Sequence, residues 1–104
     1  MNMVMMFSVD NVREFLLKNS IVFTFRLHKH KTGKDWINKG RGQRKICDVQ
    51  ISLEKEVNDP VDLVPYVEYS GFEHLWDWVG EIKKLNPKMD KFHGYLYRVE
   101  VLPS

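Results

Sequence analysis

The chain has 104 residues, 43% hydrophobic and 29% charged, with a formal net charge of +2. That length and balance exclude a disordered polar chain and several independent cores, and no apolar run approaches the roughly 18 residues a membrane-spanning helix requires. The single cysteine, Cys47, cannot close an internal disulfide and fits a reducing cytoplasm, and the opening MNMVMMFSVD lacks the basic flank and small-residue cleavage site of a signal peptide.

Val4 to Phe7 is short and apolar enough for a first strand, and Ser8 is placed to cap a helix by accepting from a free backbone N–H. Val9, Val12, Phe15 and Leu16 recur at helical spacing, so a helix is expected over residues 9–18, with Asn19 as its left-handed terminator. From Ile21 the period changes to two. Ile21, Phe23, Phe25 and Leu27 alternate with Val22, Thr24, Arg26 and His28, which predicts a half-buried strand.

The strand runs into a polar segment expected to be a loop. Residues 26–45 hold eight of the sixteen Lys and Arg side chains against one acid, Asp35. Gly33, Gly40 and Gly42 suit a hairpin-like excursion, and their spacing, followed by no helix, is not a phosphate-binding fingerprint. Cys47, Val49, Ile51 and Leu53 then alternate with Asp48, Gln50, Ser52 and Glu54, predicting a strand that reaches Val57.

NDPVDLVPYVEYSG, with two prolines and a closing glycine, reads as a connection with one short turn of helix. Ser70 and Glu73 have the spacing of a capping box. Phe72, Leu75, Trp76, Val79 and Ile82 would form the buried face of the next helix, ended by Asn86-Pro87. On that phase Trp76 belongs to the core and Trp78 faces outward. The last segment, Gly94 to Leu102, alternates Tyr95, Tyr97, Val99 and Val101 with Leu96, Arg98, Glu100 and Leu102, so both faces of this strand are expected to be covered.

The order is strand, helix, strand, long loop, strand, helix, strand. We expect one domain over 1–104 of α+β class, mostly β, with a small curved or barrel-like mixed sheet and two main helices at its openings.

Four short stretches in this order resemble the PUA-like superfamily and, within it, the ASCH domains. They are LLKNS before a strand closing in Thr24-x-Arg26, the basic segment leading to RKICDVQI, SGFEHLWDWVGEI, and the terminal GYLYRVEVL. The chain looks close to a small archaeal group of uncharacterised proteins in that superfamily. The resemblance covers nearly the whole chain and implies a pseudo-barrel of about five or six strands and RNA binding. Some ASCH proteins hydrolyse acylated cytidine with a lysine, a threonine and a glutamate. Here Ile21 stands at the lysine, Ser70 near the glutamate, and only Thr24 matches. A threonine alone has neither a base to take its proton nor a cation for an oxyanion, so the resemblance does not carry that chemistry over on Thr24 alone.

The residues themselves point the same way. Lys and Arg bind phosphates by displacing condensed counterions, and an aromatic ring among cations suits stacking on an unpaired base. The expected RNA contacts are Arg26, Lys29, Lys31, Lys34, Lys39, Arg41, Arg44 and Lys45 for phosphates, with Trp36 and Tyr66 or Tyr69 for a base. Thr24 and Arg26 would point into an aromatic-lined cleft on the concave side of the sheet, and Ser70 is counted among the RNA-binding residues.

His28-x-His30, Cys47, His74 and His93 are too scattered for a structural zinc site. The carboxylates are unpaired, and no cofactor is implied. A monomer or weak dimer is expected. Two alternatives stay open. One is an enzyme on a modified nucleoside or RNA, lined by Thr24, Arg26, Lys45 and Ser70. The other is an interaction module in which the basic segment meets an acidic partner, or the nine acids and one base between Cys47 and Ile82 of a second copy.

Overall fold

A computed structural model describes residues 5–6, 10–38 and 45–103. Helix α1 spans Asp10–Asn19 and buries Val12 and Leu16, one turn apart on one stripe. Its expected cap, Ser8, lies outside the described residues. The helix ends one residue later than expected. Asn19 is still helical, its side-chain amide donating to the Phe15 carbonyl at 3.0 Å, and Ser20 takes the left-handed conformation at φ 66°. The Ser20 N–H donates to the Leu16 carbonyl at 2.7 Å, which satisfies an orphan carbonyl and turns the chain straight into the sheet.

The sheet has five strands, β1 (Met5–Met6), β2 (Ile21–Arg26), β3 (Gly33–Asn38), β4 (Lys45–Val57) and β5 (Gly94–Val101), in the order β1-β3-β4-β5-β2. The four longer strands are antiparallel to their neighbours, and β1 adds a two-residue parallel pairing to β3. The α+β class with a predominant sheet is as expected. Closure is not: among the described residues β1 and β2 form the two edges and do not pair, so the sheet is open rather than a closed barrel. The long loop expected after β2 is also corrected, because it contains β3.

β5 lies between β4 and β2 and is covered on both faces. On one face Val22, Val49, Ile51, Tyr97 and Val99 pack with Val12 and Leu16 of α1 and with Ile37 of β3. On the other, Phe23, Phe25, Val57 and Leu96 pack beneath a 3₁₀ helix (Pro60–Tyr69) and α2 (Leu75–Leu85). The helices therefore lie on the two faces, not at barrel openings. Each fully buried aliphatic or aromatic side chain here contributes about 1.5–3 kcal/mol by leaving water.

One irregularity lets β4 serve both clusters. Leu53 pairs with Tyr97 but Lys55 pairs with Leu96, so Glu54 is an extra residue in the ladder. The side-chain period shifts by one, and Val57 turns to the face opposite Val49 and Ile51.

The 3₁₀ helix replaces the expected single turn. Asp59 caps it, its carboxylate accepting from the Val61 N–H at 2.9 Å, and Pro60 at the first position needs no donor partner. Ser70 closes it: its hydroxyl donates to the Val67 carbonyl at 2.7 Å and accepts from the Phe72 N–H at 3.1 Å. Ser70 is therefore not the cap of α2, which starts after His74 without a side-chain cap. Because Phe72 lies outside α2, it does not set that helix's phase. Leu75 does, and the positions three, four and seven further on are Trp78, Val79 and Ile82, all buried. The expected fates of the tryptophans are thereby reversed, Trp78 being 3% exposed and Trp76 69%. The helix ends at Asn86 as expected, its N–H donating to the Ile82 carbonyl at 3.0 Å.

Candidate nucleic-acid interface

β2 and β5 run antiparallel in a register that sets Thr24 opposite Tyr97 and Arg26 opposite Tyr95. All four lie on the face that packs with α1. Both of these are half-buried. Burial lowers the pKa of the Arg26 guanidinium below its ordinary value, opposed by the neighbouring Tyr97, and the group stays charged at neutral pH.

Residues 27–32 join β2 to β3 across this end of the sheet. The His30 N–H donates to the Tyr97 hydroxyl at 2.6 Å, and the two rings meet edge-on at 6.1 Å. His30 Nδ1 lies 2.8 Å from the Lys31 carbonyl, which can only accept, so Nδ1 carries the proton. Lys29 Nζ stands 5.7 Å over the centre of the Tyr95 ring, within cation–π range. His93 meets the same ring edge-on at 5.6 Å, and its Nε2 lies 2.5 Å from Glu56 Oε2. Lys29, Lys31 and Lys34 are exposed, and among the described residues none has a carboxylate partner.

The remaining expected residues separate. Lys34 and Trp36 lie on the opposite face of the sheet from Thr24 and Arg26, because Lys34 pairs with Gln50 and Trp36 with Asp48. They cannot share one cleft with Thr24, so the cleft expected to gather these contacts is corrected to a basic end of the sheet that spans both faces. Trp36 is half-buried, and its N–H donates to Asp35 Oδ1 at 2.8 Å. Tyr66 packs on Phe23 at 4.8 Å and its hydroxyl donates to Glu54 at 3.1 Å, while Tyr69 meets Phe15 edge-on at 6.4 Å. Ser70 is fully buried and its hydroxyl is engaged as above, so it is not placed to contact RNA. Lys39, Arg41 and Arg44 lie outside the described residues, as does the side chain of Lys45.

His30, Lys91, His93, Tyr95 and Tyr97 join this end of the molecule without having been singled out for it. The alternation of Tyr95 and Tyr97 was visible, but their position beside Arg26 and residues 27–32 follows from the β2–β5 pairing. Among the described residues no three His, Cys, Asp or Glu groups come together as a metal site. No described helix is long and apolar enough to cross a membrane. Compared with protein-family models, with curated proteins and with solved structures, the chain matches none.

Proposed function

We propose that this chain is a PUA-like RNA-binding domain that holds RNA phosphates at the basic end of its sheet, in a reducing compartment suited to its lone cysteine. The observation that carries the reading is the row of Lys29, Lys31 and Lys34. Three exposed ammonium groups within six residues have no carboxylate partner among the described residues, and one of them, Lys29, stands over the Tyr95 ring. Unneutralised cations held next to an aromatic ring suit a flexible polyanion with bases to stack. The order of α1, the strand ending in Thr24-x-Arg26 and the closing β5 supports the PUA-like assignment.

Titration with short single-stranded RNA at several salt concentrations tests the proposal. Three neutralised phosphates give a slope of about −2 in log K against log salt, and affinity falls roughly twentyfold between 50 and 200 mM. Affinity that does not respond to salt, or an absence of binding at low salt, overturns it.

A further inference from the structure

A groove of about 390 Å³ opens between residues 27–29 and residues 89–95. One wall brings Leu27 and Lys29 from the end of β2, the other brings Met89 and Lys91 from the segment after α2, and Tyr95 and His93 lie between them. Its volume lies within the range of small-molecule sites. We infer that this groove is a subsite for a nucleoside phosphate, with the base against Met89, Leu27 and Tyr95 and the phosphate between Lys29 and Lys91. The inference rests on the RNA reading insofar as the occupant is one unpaired nucleotide of the bound strand.

The walls are held in place before any ligand arrives. Phe92 stacks on Phe25 at 5.2 Å and anchors the second wall in the core, and His93 is tied to Glu56. Lys29 is already drawn over Tyr95. A site fixed by packing loses less entropy on binding than a mobile one.

The composition of the groove distinguishes among anions. Two lysines alone would suit inorganic phosphate or any carboxylate. Asp90, which also lines the groove, would repel a bare anion but accepts a hydrogen bond from a ribose hydroxyl or an exocyclic amine. The apolar side chains add a surface that only a ligand with a base can use. Lys91 lies outside the run of cations at 26–45, so the groove recruits charge from a second part of the chain.

The test is a chemical-shift titration of the ¹⁵N-labelled protein with a nucleoside 5′-monophosphate and, separately, with inorganic phosphate, repeated on Lys91→Ala. We expect the nucleotide to shift the amides of Lys29, Lys91, His93 and Tyr95 and to saturate at a concentration roughly tenfold below that of phosphate. Lys91→Ala, exposed and foldable by overlay of its spectrum, should weaken the nucleotide roughly fivefold. Equal saturation by phosphate and nucleotide, shifts outside the groove, or an unchanged Lys91→Ala overturns the inference. Salt-dependent RNA binding alongside any of those results leaves the RNA reading standing without the groove. Nucleotide binding here without RNA binding upholds the groove and removes the RNA.

Discussion

The hydroxyl of Tyr97, a residue only 1% exposed at the centre of the sheet, accepts a 2.6 Å hydrogen bond from the backbone N–H of His30, 67 positions earlier. That bond ties the connection carrying Lys29 and Lys31 to a side chain buried in the core of the sheet. Tyr97→Phe keeps the ring and deletes the acceptor, leaving a part-buried N–H unsatisfied. We expect a loss of about 1–2 kcal/mol in denaturant unfolding and faster amide exchange at His30. Unchanged exchange at that amide would show that other contacts hold the connection.

The space around two glycines predicts opposite outcomes for the same substitution. A Cβ at Gly94 would come within 2.6 Å of the Arg26 carbonyl oxygen and closer still to the Phe25 ring, whereas one at Gly80 meets nothing within 4 Å. Gly94→Ala should cost about 3 kcal/mol through overpacking at the β2–β5 ladder. Gly80→Ala, inside α2, should stabilise by about 0.5–1 kcal/mol because alanine loses less backbone entropy in a helix. Thermal unfolding of the pair decides it, each kcal/mol moving the midpoint by about 4–8 °C.

Trp78 and Trp76 stand two residues apart on α2, on opposite sides of the helix. Trp78 stacks parallel to Phe72 at 6.4 Å within the core, and Trp76 is mostly in solvent. Trp78→Ala should cost about 3–5 kcal/mol, and Trp76→Ala should stay within about 0.5 kcal/mol. Equal effects in chemical denaturation would contradict the helix phase described above.

Tyr66 provides a pH dependence. Burial, then its hydrogen bond to Glu54 and that carboxylate's charge, raise its pKa above the ordinary 10.0. The folded state therefore holds the phenolic proton more tightly than the unfolded chain. This contribution is complete below pH 10 and is lost as pH rises through the folded value. Wild type should lose stability above pH 10 more steeply than Tyr66→Phe, and superimposable alkaline unfolding curves would refute the assignment.

For RNA, Lys31→Ala and Lys34→Ala should each lower the magnitude of the salt slope by about 0.7, one phosphate contact apiece, with little change in folding stability. Binding isotherms at three or four salt concentrations give the slope directly. A slope that stays at the wild-type value in both variants would move the phosphate contacts elsewhere.

Local periodicity was sufficient for the parts of the chain whose partners are close in sequence or whose pattern is strong. The stripe of Val12 and Leu16 marked α1, the alternation from Cys47 to Leu53 marked β4, and Tyr95 to Val101 marked a strand covered on both sides. The concentration of cations between Arg26 and Lys45 was equally plain, because charge is read directly from residue type. What tertiary structure decided were quantities that depend on distant neighbours. β3 holds one fully buried apolar residue, Ile37, in a polar run, and it becomes a strand because β4 offers a ladder to pair with. The phase of α2 depended on whether Phe72 was inside the helix, and Ser70 settled that by turning its hydroxyl back on Val67. Pairing then put Lys34 and Trp36 across the sheet from Thr24, since neighbouring strands share faces by register and not by proximity along the chain. A cluster contiguous in sequence was thereby divided between two faces, while Lys91, His93 and Tyr95 were brought to it from a distant part of the chain.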